Sequence, residues 1–381
     1  MESIASRREF VASAVVAGAA LVATGAAHVD ETATGPDGYS FQETSTGLSV
    51  TVSDNKDPGL PTVVLLATGG TIAGTGDAGK TTRYSAGELY VASLLASGPG
   101  VEELANVRGV QVCNISSTEM TSAYWVQMAK TINELAEDEA VSGFVVTHGT
   151  DTLDETAYFL HLTCKTDKPV VVTGAMRPAT ATSADGPMNL CQSIALAASP
   201  EAKGRGTTVV FSDGIYCGRD VQKVNTFRCD AFNSKDMGFL GYIQDANIRF
   251  YNSSDRAHST ATEFDVSGID ELPKVGVLYS NVGADAELVD AMLGLGVRGI
   301  ILCGSGAGGT SQAIADKLGG ASDAGVPVIS CSRIANGLID AYYDKLIPGD
   351  NLPPQKAAIL LALALTVTTD KDKIAEMVGK Y

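Results

Sequence analysis

The chain has 381 residues, 45% of them hydrophobic and 19% charged, a balance typical of a globular protein with about two domains. Its formal net charge of −17 disfavours phosphate backbones and anionic lipid surfaces, so neither a nucleic-acid nor a membrane-surface partner is predicted. The seven cysteines are widely spaced without a C-x-x-C pair, which argues against a zinc ribbon and favours buried thiols.

The amino terminus has the pattern of an export signal. Arg7-Arg8 precedes an apolar, alanine-rich run, Val11 to Ala27, which is short and weak for a transmembrane helix. We therefore predict that residues 1–27 form a twin-arginine signal peptide and that the mature protein is exported, to the periplasm or beyond, without a membrane anchor. An uncleaved amphipathic or buried helix is the alternative. Residues 28–60, polar and acidic with several Gly and Pro, predict a flexible leader.

Short β-branched runs then alternate with helical patterns. The predicted strands, in chain order, are Thr62–Ala67, Gly109–Asn114, Gly143–Thr147, Pro169–Thr173, Thr207–Phe211, Lys274–Tyr279, Gly299–Cys303 and Val326–Cys331. The predicted helices are Ala86–Ala96, Thr121–Glu137, Thr152–Leu162, Met188–Ala198, Asp285–Leu295, Ser311–Gly319 and Pro354–Thr366.

This alternation predicts an α/β fold with parallel sheets and helices on both faces. A polar stretch interrupts the alternation once, so we predict two domains. Residues 61–250 would form the larger, N-terminal, catalytic parallel-sheet domain, 251–273 a linker, and 274–381 a smaller C-terminal α/β domain. Active sites of such sheets lie in the loops at the carboxyl ends of the strands.

One glycine motif resembles a phosphate-binding loop. Gly74 to Thr81 matches G-x-x-x-x-G-K-[ST], but the predicted strand ends at Ala67, and the next helical pattern begins only near Ser85. A nucleotide cradle needs the strand to run into the loop and the Lys-Thr pair to open a helix. The motif therefore favours a mobile, glycine-rich flap over a nucleotide site.

A second glycine motif resembles a dinucleotide-binding turn. Gly304 to Gly309 matches G-x-G-x-x-G and follows a predicted strand. A dinucleotide site also needs a carboxylate at the end of the next strand, where this chain has Ser330-Cys331-Ser332. A tight crossover loop is favoured.

Threonines carry the strongest chemical signal. Thr68 and Thr71 flank two glycines directly after the first predicted strand, and His148 to Thr152 reads His-Gly-Thr-Asp-Thr after the third. Both loops are expected at the same sheet edge. A threonine hydroxyl becomes a nucleophile when a neighbour removes its proton, and glycines leave backbone N–H groups accessible to an oxyanion.

Ionisable groups that could activate such a hydroxyl are also present. Asp151 supplies a carboxylate next to Thr150, and Lys223 is a candidate base. Structural alternatives exist, since Thr-Gly-Gly-Thr can be an ordinary turn and Thr150 or Asp151 can cap a helix. The four histidines show no spacing typical of metal ligands.

Together these segments closely resemble the bacterial type II, exported L-asparaginase family, from about Leu60 to Tyr381. The segments that carry the resemblance are Ala67–Gly74 (ATGGTIAG), Thr147–Thr152 (THGTDT), Gly174–Pro178 (GAMRP), Ser183–Pro187 (SADGP) and Gly218–Val221 (GRDV). The resemblance implies an asparaginase-like fold and the hydrolysis of L-asparagine to L-aspartate and ammonia through an acyl-enzyme. It implies neither a metal nor an organic cofactor. It also implies a homotetramer, a dimer of intimate dimers in which one subunit completes its neighbour's site.

The resemblance assigns roles to two groups of residues. The catalytic group comprises the nucleophile Thr71, Tyr84 as its assistant in the flap, and a supporting triad of Thr150, Asp151 and Lys223. The substrate-binding group comprises side chains and backbone around the substrate: Gly70, Ser117, Thr118, Gly149 and Ala175. Within it, Ser117 resembles a holder of the α-carboxylate, Asp151 one of the α-amino group, and Ala175 a backbone contact of the leaving amide.

The chain departs from the family pattern around the substrate. Thr118 stands where many members have Gln or Glu, and Gly309 where many have an Asn that reaches into the partner's site. The family's acidic residue from the partner has only two candidates here, Asp340 and Asp344. These differences predict an asparaginase with weak glutaminase activity. The alternatives are a non-catalytic amino-acid-binding protein on the same fold and an intracellular asparaginase, against which Arg7-Arg8 argues.

Overall fold

The computed structural model describes residues 33–34, 39–53, 57–76, 84–85 and 100–381. The strands are β1 Ala33–Thr34, β2 Tyr39–Glu43, β3 Ser49–Ser53, β4 Thr62–Gly69, β5 Thr75–Gly76, β6 Tyr84–Ser85, β7 Asn106–Ile115, β8 Val141–Thr147, β9 Val170–Thr173, β10 Thr207–Phe211, β11 Gly214–Cys217, β12 Gln222–Lys223, β13 Phe232–Asn233, β14 Gly241–Gln244, β15 Asn247–Phe250, β16 Val275–Tyr279, β17 Gly299–Gly304, β18 Val328–Ser332 and β19 Ile347–Pro348. The helices are α1 Val101–Leu104, α2 Ser122–Leu135, α3 Leu153–Thr163, α4 Gly186–Ala198, α5 Glu287–Gly294, α6 Gln312–Asp323, α7 Pro354–Val367 and α8 Lys371–Lys380.

The predicted strands and helices agree with these elements to within a few residues at each end. Two predictions, the signal peptide at 1–27 and the helix Ala86–Ala96, lie outside the described residues. The C-terminal helix α8 is not among the predicted elements. Its hydrophobic residues Ile374, Met377 and Val378 recur at helical spacing and are buried, so this periodicity was the available signal.

The larger sheet is parallel at its centre and antiparallel at both ends. Among the described residues its strand order is β1-β2-β3-β7-β4-β8-β9-β10-β11-β14-β15, and the five strands from β7 to β10 run parallel. The antiparallel strands at the two ends of the sheet were not among the predicted elements. The α/β prediction is confirmed, with a mixed rather than a wholly parallel sheet.

The central strand β4 shows why this sheet is covered on both faces. All eight of its residues are buried. Val64 and Leu66 face one apolar core, while Val63 and Leu65 face a second core on the opposite side. Side chains alternate across a strand, so a continuous apolar run requires helices on both faces. Helices α2 and α3 supply the first layer and α4 the second.

Part of the predicted flexible leader is instead built into the sheet. Strands β2 and β3 form a hairpin, and β3 pairs antiparallel with β7, with Val50 opposite Val110 and Val52 opposite Arg108. Val50 is fully buried and Val52 nearly so. The leader prediction gave weight to the Gly and Pro content and overlooked the alternation of Val50 and Val52, which marks a strand with one buried face.

The smaller domain is a four-stranded parallel sheet in the order β16-β17-β18-β19. Residues 251–273 hold neither a strand nor an α-helix, yet they are packed against the protein, since Phe264 is fully buried and lies 5.0 Å from the Tyr381 ring. The core on one face of the large sheet continues into the smaller domain through α7. None of the described helices has both the length and the apolar character needed to cross a bilayer.

The loop after β17 is a tight turn, as predicted for the second glycine motif. Ser305 and Gly309 exchange two backbone hydrogen bonds of 2.7 Å. A Cβ on Gly308, whose φ is +87°, would stand 2.8 Å from Ser330 Oγ. The glycines are therefore explained by the turn itself.

Candidate active site

The two threonine loops meet at the carboxyl edge of the large sheet. Strands β4 and β8 are parallel neighbours, with Ala67 opposite Thr147. Thr71 begins a short 3-10 helix just beyond β4, and it is only 6% exposed. Thr150, equally buried at 6%, follows β8. Thr68 joins the two strand ends, since its hydroxyl donates to the Thr147 carbonyl at 2.9 Å.

Two glycines allow these loops to touch. Gly70 has φ +79°, and a Cβ there would overlap Gly149 Cα and N, well inside van der Waals contact. A Cβ on Gly149 would in turn stand 2.7 Å from Ser117 Cβ and Oγ. Only glycine fits such close backbone approaches. Because Thr71 and Thr150 directly follow these glycines, the contact brings the two threonines to one place.

Ser117 binds this junction from the loop after β7. The side chain is 3% exposed, and its Oγ accepts from the Asp151 N–H at 3.2 Å. Its carbonyl accepts from the Thr152 hydroxyl at 2.8 Å. Ser117 is therefore fixed beside Asp151, where one hydroxyl and one carboxylate can meet the two ends of an amino acid.

Lys223 reaches the same junction from β12. Its Nζ donates to Thr150 Oγ1 at 2.8 Å and to Asp151 Oδ1 at 2.7 Å. The lysine side chain is 16% exposed and the aspartate 59%, so this pair is open to solvent on the aspartate side. An amine held against a threonine hydroxyl is placed to exchange a proton with it.

His148 supports this loop and is neutral. Burial lowers its pKa to about 4. Trp125 Nε1, which can only donate, lies 2.7 Å from Thr156 Oγ1, and that hydroxyl lies 2.9 Å from His148 Nε2. The network therefore implies that Thr156 donates to Nε2 and that His148 Nδ1 donates to the Gly149 carbonyl at 2.8 Å. The imidazole fixes the backbone that precedes Thr150.

Ala175 closes the junction from the loop after β9. It is fully buried. A Cβ on Gly186, the first residue of α4, would stand 3.3 Å from Ala175 Cβ and 3.2 Å from Ile72 Cγ1, so Ala175 lies close to the residue after Thr71. Asp185 holds this loop, because its carboxylate accepts from the Met176 and Arg177 N–H groups at 2.9 Å each.

Comparison with known proteins identifies this arrangement. The family model described as "Asparaginase, N-terminal" matches residues 62–256, and "Glutaminase/Asparaginase C-terminal domain" matches 274–378. L-asparaginase 2 of Bacillus subtilis (strain 168) is 44% identical over 366 residues, 94% of this chain and 96% of the relative. The chain belongs to the asparaginase family. L-asparaginase 2 of Escherichia coli (strain K12) is 43% identical, with 84% of this chain and 94% of the relative covered.

A solved asparaginase structure has the same fold. The crystal structure of a probable cytoplasmic L-asparaginase from Campylobacter jejuni aligns with a TM-score of 0.82 and 43% identity, and the alignment covers 84% of this chain and 100% of the other. The predicted asparaginase-like fold is thereby confirmed.

Most of the residues predicted from the asparaginase resemblance come together at this junction. The structure joins the two threonine loops, Ser117, Ala175 and Lys223 by the contacts described above. Tyr84 begins β6, whose backbone pairs with β5 through Gly76, and its role stays a prediction. Thr118 is exposed, and its Oγ1 lies 3.0 Å from Ser116 Oγ. Its part in substrate binding also stays a prediction.

Two supporting residues were not predicted as part of an asparaginase site. Asp185 lies inside the SADGP segment, where an aspartate before a helix was the available signal. Lys356 is fully buried in α7 and donates to three carbonyls of the loop that precedes Lys223. Its signal in the sequence was that it is the one charged residue of a mostly apolar helix.

The contact between Gly70 and Gly149 leads to a mutational prediction. We expect Gly70→Ala to lower the free energy of unfolding by about 2 kcal/mol or more and to impair turnover, because the new methyl group would overlap backbone that has no room to yield. Gly100→Ala is the matched control, since Gly100 has φ +83° but open space around its Cβ. Chemical denaturation gives the free energy of unfolding of both variants, and steady-state kinetics gives their turnover. Equal losses in Gly70→Ala and Gly100→Ala would contradict the steric argument.

Proposed function

We propose that this protein hydrolyses the side-chain amide of L-asparagine to L-aspartate and ammonia, with Thr71 as the nucleophile. The observation that carries the proposal is the junction of two threonine loops through Gly70 and Gly149, with Lys223 held against Thr150. Membership of the asparaginase family and the names of the relatives support the same activity.

The proposed reaction has two halves. Thr71 Oγ attacks the amide carbon, its proton is removed, and the resulting tetrahedral oxyanion expels the amide nitrogen as ammonia once that nitrogen is protonated. This leaves an ester between Thr71 and the aspartyl group. Water then attacks the ester, which restores the hydroxyl and releases aspartate. In this proposal, backbone N–H groups of the two threonine loops stabilise the oxyanion. The Gly70 N–H is not one of them, because it donates to the Ile115 carbonyl at 3.0 Å. The backbone at Ala175 meets the leaving amide.

The remaining residues have distinct parts in this proposal. In its neutral amine form, Lys223 accepts a proton through the Thr150 hydroxyl, with which it shares a hydrogen bond of 2.8 Å. Ser117 and Asp151 hold the α-carboxylate and the α-amino group, and Tyr84 assists Thr71 from the flap. This chemistry requires no metal and no organic cofactor.

Ammonia release from the purified protein tests the activity. We expect L-asparagine to be hydrolysed and L-glutamine to be a weaker substrate. The value of kcat/KM for L-asparagine should exceed that for L-glutamine by a factor of at least about 10, because modest differences in side-chain contacts produce selectivity of that size. The motivation is Thr118, whose side chain is shorter than the Gln or Glu of many family members, together with Gly309. Equal kcat/KM values would contradict the preference. Ligand-dependent thermal stabilisation without ammonia release would instead indicate a binding protein.

Export and assembly are separate proposals. The twin-arginine pattern, Arg7-Arg8 before an apolar run, supports translocation, whereas the structurally similar protein of Campylobacter jejuni is described as cytoplasmic. Changing both arginines to lysine should retain the protein in the cytoplasm, and unchanged export would refute the signal.

A homotetramer is the expected assembly, and sedimentation of the purified chain as a monomer at working concentration would exclude it.

A further inference from the structure

A buried lysine from the smaller domain clamps the loop that carries Lys223. Lys356, in the first turn of α7, is fully buried. Its Nζ donates to the carbonyls of Gly218, Arg219 and Val221 at 2.8, 2.8 and 2.6 Å. An ammonium has three donors, so all of them are used. These carbonyls span the connection between β11 and β12, and β12 ends at Lys223.

A fully buried ammonium that binds one short loop is unusual, because ordinary turns are stabilised without a buried charge. Desolvation lowers the pKa of Lys356 to about 8, while the carboxylates of Asp154 and Asp220 oppose that shift. A buried cation is tolerated only when it is fully hydrogen-bonded and has opposite charge nearby. The connection from β11 to β12 is therefore fixed more firmly than its own turn hydrogen bonds would fix it.

The same ammonium also interacts electrostatically with the start of α3, the helix that follows the loop of Thr150 and Asp151. Asp154 lies in the first turn of α3, three residues after Asp151, and it is 4% exposed. Burial raises the pKa of Asp154, and the charge of Lys356 opposes that shift. Lys356 thus holds the Lys223 loop by hydrogen bonds and favours the ionised form of a carboxyl at the start of α3. The two contacts that define the Lys223 amine, to Thr150 and to Asp151, join the Lys223 loop to the loop that leads into α3.

We propose that Lys356 is a positioning residue for Lys223. From the smaller domain, Lys356 sets the distance between the Lys223 amine and the Thr150 hydroxyl. The inference rests on the proposed role of Lys223 in proton transfer. It gives the smaller domain a part in the chemistry of its own subunit's site.

The test replaces Lys356 with glutamine, which can donate to only two of the three carbonyls. Displacements of about 1 Å can cost about 10²-fold in rate, so we expect kcat to fall about ten- to a hundredfold while KM stays within about twofold. To separate positioning from partial unfolding, kcat is divided by the number of sites that bind L-aspartate, counted by calorimetry at a temperature well below each variant's Tm.

A second lysine clamp provides the matched control. Lys168 Nζ donates to the carbonyls of Ala136 and Asp138 at 2.7 Å each. It precedes β9, so it lies at the edge of the sheet opposite the site. Lys168→Gln should lower stability and leave kcat per site unchanged. An equal loss of kcat per site in Lys168→Gln and Lys356→Gln would overturn the inference. So would a kcat per site within about twofold of wild type in Lys356→Gln.

Two further variants keep the result decisive. If Lys356→Gln does not fold, Lys356→Arg retains the charge, but its longer planar group cannot serve the same three carbonyls. A folded Lys356→Arg enzyme with wild-type kcat per site overturns the proposal, and a loss of about threefold or more in kcat per site without a change in KM supports it.

Lys223→Met separates the positioning role of Lys356 from the proton transfer by Lys223. Wild-type turnover in that variant refutes proton transfer by Lys223, whereas a loss there with normal Lys356→Gln refutes only the positioning role.

Discussion

Replacing Thr71 with alanine is expected to lower kcat for L-asparagine by at least about 10³-fold, because the substitution removes the atom that attacks the amide. Binding should be nearly unchanged, since the lost hydroxyl acts in the reaction rather than in recognition. Ammonia release gives kcat, and calorimetric titration with L-aspartate gives the affinity.

Thr68→Ala is the matched control for this variant. Thr68 is a buried threonine of the same Thr-Gly-Gly-Thr turn, but its hydroxyl donates to the Thr147 carbonyl. Its loss should cost about 1 kcal/mol of stability and leave kcat within about tenfold of wild type. Substantial turnover in Thr71→Ala would exclude Thr71 as the nucleophile, and Thr150 would then be the first residue to test.

The parts of this site that follow buried strands were predictable from the sequence. Thr71 and Thr150 each stand two or three residues beyond an apolar strand, and parallel strands end at one edge of a sheet. The glycines before them were predicted for their accessible backbone. The structure adds a second reason, because a side chain at Gly70 or Gly149 would keep the two loops apart.

Contacts between distant parts of the chain were not predictable in the same way. Lys356 binds carbonyls 135 to 138 residues earlier in the chain, and no local pattern indicates which loop a buried lysine will meet. The ion pair of Lys223 with Asp151 spans 72 residues and was expected from the family resemblance alone. The hairpin that contains Val50 did carry a local signal, the alternation of Val50 and Val52, but the strand to which it pairs, β7, was not predictable from that pattern.

Replacing Lys223 with methionine is expected to lower kcat by about 10²- to 10⁴-fold, the usual range for loss of a general base. The 2.8 Å contact with Thr150 Oγ1 places its amine where it can accept a proton. Lys130→Met is the control, because Lys130 is also a partly buried lysine, 24% exposed, paired with an exposed aspartate, Asp270. It should leave kcat unchanged, as expected for an ion pair that serves only the surface.

The Lys223 variant alone does not separate proton transfer from the loss of a charge beside Asp151. If the amine acts through the Thr150 hydroxyl, Thr150→Val should lower kcat about as much as Lys223→Met does. The double variant should then be no slower than either single variant, because residues that act as one unit give losses that do not add. Losses that multiply would mean that the two residues act independently. In that case the 2.8 Å contact would be a structural hydrogen bond, and the base for Thr71 would lie elsewhere in the site.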